Sequence, residues 1–144
     1  MLAAPRTLFR VLVVQDDAIT RELLVHMLRI GGYDVLSADT GERAFVTMRE
    51  WRGRIDCLFT EITLPGLVDG WIVADEFRQS NPLRPVICAS DIDADCGRRM
   101  PNATFVRKPV SPLDVLERVK RMTEPVVEAD APAWPEPPVA AIAS

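Results

Sequence analysis

An α/β fold built on a parallel sheet is the architecture this sequence predicts, and three observations predict it. Short apolar runs recur five times, at residues 9–14, 33–38, 56–60, 85–89 and 104–106, the first of them rich in β-branched residues. Segments with apolar residues at helical spacing separate them. The runs stop at polar groups: Gln15-Asp16-Asp17 after the first, Glu61 after the third, Ser90 after the fourth and Lys108 just past the fifth. Strand–helix alternation places helices on both faces of a parallel sheet, whose buried strands read as continuous apolar runs. Five such strands fit the doubly wound, flavodoxin-like order 2-1-3-4-5.

The elements follow in order. Residues 9–14, Phe-Arg-Val-Leu-Val-Val, form the first strand. Ile19, Leu23, Met27 and Ile30 then recur at helical spacing, with Leu24 and Leu28 widening the stripe, and Gly31-Gly32 ends that helix. Residues 33–38 are the second strand. Thr40 caps a helix running through Trp51, with Glu42 well placed in its first turn. Residues 56–60 are the third strand, running into Glu61, and Leu64-Pro65-Gly66 is loop punctuation. Residues 70–79 read as a helix with Ile72, Val73 and Phe77 on its apolar side. Residues 85–89 are the fourth strand. Between Ser90 and Lys108, Gly97 and Pro101 disfavour a full helix, so a shortened fourth helix is expected. After the fifth strand, Ser111-Pro112-Leu113-Asp114 opens a last helix with a cap, a first-turn proline and an acid at the capping-box position. Leu113, Leu116 and Val119 give it an apolar side.

Composition bounds the function. The chain has 144 residues and a net charge of −4. Residues 1–123 carry 17 acidic and 17 basic side chains, and Glu124, Glu128, Asp130 and Glu136 supply the whole excess. The organisation expected is an extension at 1–8, one domain at 9–123, and an acidic, Pro/Ala-rich disordered tail at 124–144. A neutral body without a basic run does not suit nucleic-acid binding. No apolar run approaches the roughly 20 residues that span a bilayer, and the N-terminus does not read as a secretory signal. Cys57, Cys88 and Cys96 show no Cys-x-x-Cys pairing, so buried free thiols of a cytoplasmic protein are expected. His26, the one histidine, lies on the polar side of the first helix and reads as a surface residue. Asp91, Asp93 and Asp95 alternate like calcium-loop ligands, but the remaining ligands are absent, so they read as a solvated turn.

In doubly wound folds the site lies outside the carboxyl ends of the strands. Carboxylates at two strand ends, a hydroxyl at a third and a lysine at a fourth make a site for phosphate and a metal ion. Any one of these residues alone would simply face solvent; their joint pattern is what points to chemistry.

Those same segments resemble the receiver domain of two-component response regulators, over about residues 9–122. Val11-Leu-Val-Val-Gln-Asp-Asp is similar to the family's first strand and acidic pocket. Glu61-Ile-Thr-Leu-Pro-Gly-Leu-Val-Asp-Gly-Trp is similar to its phospho-acceptor loop. Pro85-Val-Ile-Cys-Ala-Ser90 and Phe105-Val-Arg-Lys108-Pro109 are similar to its two switch segments. The resemblance implies a binding and switching module rather than an enzyme. It implies that Asp16, Glu61 and the Thr63 main-chain carbonyl face a Mg2+ ion, with Asp17 as a further candidate. It implies that Glu61 holds the acceptor position, that Ser90 and Lys108 contact a phosphoryl group, and that Phe105 turns with Ser90. Partners are then a histidine kinase or other signalling protein on the face of the fourth helix, fifth strand and last helix, or a second copy of the chain in a homodimer.

Two departures fall on this chemistry. Glu61 stands where the family has aspartate, and its extra methylene carries the carboxylate about one carbon–carbon bond toward Ser90 and Lys108. Gln15 stands where a second pocket acid is usual, which removes a negative charge that holds the ion. Misplacing a nucleophile by about one ångström can cost on the order of 100-fold in rate. The expectation is therefore a stand-alone, atypical receiver, phosphorylation-independent or phosphomimetic, with at most weak Mg2+ binding. The alternatives are a slow Mg2+-dependent phospho-acceptor, or a flavodoxin-like small-molecule binder, against which the acidic first loop argues.

Overall fold

Alternate residues of the first strand face opposite cores. Val11 and Val13 pack on one side of the sheet, while Leu12 and Val14 pack on the other, as the two-residue period of a strand requires. The computed structural model describes residues 8–91 and 103–123. In these, β1 (Arg10–Val14), α1 (Ala18–Ile30), β2 (Asp34–Ala38), α2 (Gly41–Glu50), β3 (Cys57–Glu61), α3 (Gly70–Ser80), β4 (Val86–Ser90), β5 (Ala103–Arg107) and α4 (Pro112–Thr123) follow one another. The sheet is parallel throughout, in the order β2-β1-β3-β4-β5 that the sequence predicts. The shortened fourth helix, Cys96, Asp93, Asp95 and the tail at 124–144 all fall outside the described residues.

Two layers of helices cover the sheet. Leu24 and Leu28 of α1 and Val115, Leu116 and Val119 of α4 pack with Val11, Val13, Phe59 and Ile87. Ala44 of α2 and Val73, Ala74 and Phe77 of α3 pack with Leu12, Val14, Leu58 and Cys88 on the opposite face. The buried stripe of α1 is Leu24 and Leu28, with Val25 and Met27 at its margin, whereas Ile19, Leu23 and Ile30 are exposed. The predicted stripe was thus rotated: two apolar rows share the helix, and only packing against α4 and the sheet selects one. Ile72 and Leu113 are likewise exposed. Cys57 and Cys88 are buried free thiols, and burial, with the nearby Asp56 charge, pushes Cys57 up to about 12. Trp51 caps the end of α2, with the Arg10 and Arg54 guanidiniums 4.5 Å and 4.8 Å from its ring centroid. Among the described residues, no helix is long and apolar enough to cross a membrane.

Each helix start is fixed by a side-chain cap. Asp17, Thr40, Asp69 and Ser111 accept from the backbone N–H of Thr20, Arg43, Ile72 and Asp114 at 2.8, 3.0, 3.0 and 3.2 Å. Glu42 of α2 accepts from the Leu67 N–H at 3.2 Å, tying down the loop after β3. That loop closes where Gly70 N–H donates to the Ile62 carbonyl at 2.8 Å. A Cβ on Gly70 would run into the Glu61 carbonyl oxygen and sit 2.6 Å from Ile62 Cα. Both are backbone atoms, which cannot swing aside. Gly70→Ala is therefore expected to cost about 1–3 kcal/mol, read as a lower urea midpoint at unchanged m value.

Candidate functional site

Four strand ends deliver the polar residues to one edge. Gln15 directly follows β1 and extends its ladder, its N–H donating to the Ala38 carbonyl at 3.0 Å. Glu61 is the last residue of β3, in register with Ala89 of β4. Ser90 closes β4, and the Lys108 N–H donates to its carbonyl at 3.1 Å. Parallel strands start at one end and finish at the other, so residues separated by up to 93 positions in sequence meet here. Gln15, Asp16, Asp17, Glu61 and Lys108, with Pro109 and Val110 on the rim, line an open depression of about 370 Å³.

Glu61 is its centre. The residue is 3% exposed, yet it carries a carboxylate at the floor of the depression. One oxygen, Oε1, forms an ion pair with Lys108 Nζ. The other, Oε2, accepts from the Gln15 carboxamide N–H at 2.7 Å. Gln15 is 2% exposed, and its carbonyl oxygen accepts from the Asp17 backbone N–H at 3.0 Å. Its own main-chain carbonyl accepts from Arg21 at 2.9 Å. A buried carboxylate without partners is costly, and here both oxygens are engaged by side chains from two other strand ends. Thr60, wholly buried beside Glu61, donates its hydroxyl to the Glu61 carbonyl at 2.9 Å.

The remaining predicted residues divide. Asp16 is exposed at the mouth. Asp17, considered as a metal ligand, is instead the cap of α1, and the Thr20 N–H holds its carboxyl below the usual carboxylate range. Thr63 is exposed in the loop after β3 and does not line the depression. Phe105 stacks obliquely on Trp71, with ring centroids 6.3 Å apart, within the core on the α2–α3 side. Trp71 therefore packs on Phe105 and does not line the depression. His26 is exposed on α1. A smaller cavity of about 110 Å³, lined by Met48, Trp51, Ile55 and Phe77 among others, lies between α2 and α3 at the opposite end of the strands. It shares no residue with the strand-end constellation.

Sequence reasoning missed the Gln15–Glu61 hydrogen bond, because spacing along the chain does not show that two strand ends abut. It also missed the Asp17 cap, although an acid directly before an apolar-periodic helix is a start signal.

Lys108 carries the electrostatics. Burial of its ammonium disfavours the charge, but the Glu61 carboxylate, with Asp91 and Asp16 behind it, outweighs this and raises its pKa above the ordinary 10.5. The folded value exceeds the unfolded one, so the stabilisation is complete below pH 10.5 and is lost as pH rises through the folded value. Chemically, the floor of the site is already neutralised: an anion meets Glu61, and the cation that would attract it is engaged.

Comparisons with known proteins identify the family and the fold. The family model for the response regulator receiver domain matches residues 11–120. The transcriptional regulatory protein AruR of Pseudomonas aeruginosa is 33% identical over 132 residues, covering 88% of this chain and 54% of that protein. The chain thus spans about half the length of that relative. Among solved structures, the receiver domain of the hybrid histidine kinase CckA is similar, with 32% identity and a TM-score of 0.68 over 80% of this chain and 99% of that one. The CheX-CheY-BeF3-Mg complex from Borrelia burgdorferi is 28% identical, with a TM-score of 0.68 over 78% of this chain and 87% of that one.

Lys108→Met is expected to destabilise the fold by about 3 kcal/mol, because it leaves the Glu61 charge buried without its cation. Glu61→Gln in the same background should return most of that loss. Urea titrations of the two single variants and the double variant give the coupling. The deficit of Lys108→Met should be flat from neutrality to about pH 10 and shrink only in more alkaline solution.

Proposed function

The chain belongs to the response regulator receiver domains, which act in two-component signalling, and from that premise we propose that it is an atypical receiver whose output does not depend on phosphorylation. The observation that carries this reading is the Glu61 carboxylate joined to Lys108 and Gln15. By resemblance Glu61 holds the acceptor position. Its longer side chain brings to Lys108 a negative charge of its own, as a phosphoryl group would on an aspartate. Glu61 is thereby both a poor nucleophile and a standing substitute for the modification. Its two oxygens are engaged, and its carboxylate lies about one bond length beyond the position from which in-line attack starts.

The module is not an enzyme in this reading; it binds. Its partner is a histidine kinase or another signalling protein of the cytoplasm. Among the described residues, the surface that partner or a second copy reads is built from β5 and α4. Phe105, held on Trp71, is the residue through which the Ser90–Lys108 end of the sheet would reach that surface.

Incubation with acetyl phosphate and Mg2+, followed by intact-mass measurement, tests the reading. The expected result is no gain of a phosphoryl mass in the natural chain. A substantial gain that disappears in Glu61→Ala overturns it and establishes Glu61 as a working, if slow, acceptor.

A further inference from the structure

The receiver family implies a Mg2+ ion at the strand-end depression, and a relative's complex is named for one. The residues here do not fit that ion. Mg2+ demands oxygen ligands in near-octahedral array, one or two of them carboxylates. Gln15 turns N–H hydrogens, not an oxygen, toward Glu61. Glu61 gives one oxygen to that amide and the other to Lys108. The Asp17 carboxylate accepts the Thr20 N–H as the cap of α1. Of the acids that line the depression, Asp16 at the mouth is the one left beside these two, and no group of three acidic, histidine or cysteine side chains among the described residues could hold a metal ion.

We propose that Gln15 is a positioning residue that takes the place of the divalent cation, so that Gln15 and Glu61 work as one metal-independent unit. This rests on the receiver reading of the site. The orientation of the amide is forced. The Asp17 N–H can only donate, so it must face the carboxamide oxygen, and the NH2 group then faces the Glu61 carboxylate. Anchoring of the Gln15 main-chain carbonyl by Arg21 fixes the side chain's origin. A donor at 2.7 Å, with Lys108 on the other oxygen, supplies the positive potential that an ion would otherwise bring. An acid at position 15 would instead set a second negative charge against Glu61 in a nearly solvent-free site, relieved only by a proton held between the two carboxylates or by a cation. The two departures from the family pattern are therefore complementary: the amide suits the glutamate that reaches back to it, and together they remove the need for the metal.

Thermal melts of the full chain, with and without millimolar MgCl2 at ionic strength matched by NaCl, test this. The natural chain is expected to show no Mg2+-dependent change in Tm, and calorimetric titration with MgCl2 alone should show no binding heat. Gln15→Glu, of nearly the same shape, should melt several degrees lower without Mg2+ and recover by about 4 °C or more when it is added. Gln15→Met, which keeps the volume and loses the donor, should melt lower and ignore Mg2+. That separates the electrostatic role from simple packing.

A Mg2+-dependent rise in the natural chain or in Gln15→Met overturns the inference, as does a Gln15→Glu variant as stable as the natural chain without metal. Should Gln15→Glu not fold in either condition, the natural chain and Gln15→Met still decide. No phosphoryl donor is present in these melts. A natural chain that binds Mg2+ but gains no phosphoryl mass would defeat this inference and leave the proposed function standing.

Discussion

A carboxylate placed at the inner end of a central strand must be matched within its own site, because water barely reaches it. Glu61 sits in that position at the end of β3, 3% exposed. The rest of the functional edge is arranged around the requirement. Lys108, from just beyond β5, supplies the charge, and Gln15, from just beyond β1, supplies the hydrogen bond. These two strands lie on either side of the β3–β4 pair in the sheet order. The carboxylate thus bridges a span that backbone hydrogen bonds cross only through the intervening strands. Loss of either partner leaves a buried charge incompletely satisfied, which is why the site is coupled to the stability of the domain.

The surrounding loops serve that placement. Asp17 caps α1 and, through its N–H, sets the direction of the Gln15 amide. Gly70 lets the start of α3 pass directly against the Glu61 carbonyl, and Asp69 caps that helix. The helix starts next to the site are therefore tied to it by the same few atoms that stabilise the helices. At the floor of the site the polar groups of Gln15, Glu61 and Lys108 are engaged with one another.

Legibility in the sequence followed the range of the interaction. The five strands, their order, the caps at Thr40 and Ser111 and the buried thiols were readable, since each depends on local composition or on the alternation of apolar runs with helical stripes. The core row of α1 was not. Ile19, Leu23 and Ile30 are as apolar as Leu24 and Leu28, and only contact with α4 and the sheet decides between the two rows. Asp17 was drawn toward a metal because the resemblance placed it beside Asp16 in the pocket, while the nearer claim on it was the first turn of its own helix.

The sequence by itself determined the receiver architecture and which residue types reach the functional edge, because strand periodicity and strand-end polarity are properties of neighbouring residues. Through the resemblance it also set Gln15 and Glu61 apart, as an expectation, from the family's usual acids. What these two side chains touch was decided only by the tertiary structure. Gln15, read alone, is a missing negative charge; in the fold it is a donor aimed at Glu61. Glu61, read alone, is a side chain one carbon longer; in the fold that carbon closes an ion pair with Lys108. The chain separates these three residues by tens of positions, and the energy that joins them depends on distance and burial, quantities that exist only once the strands are side by side.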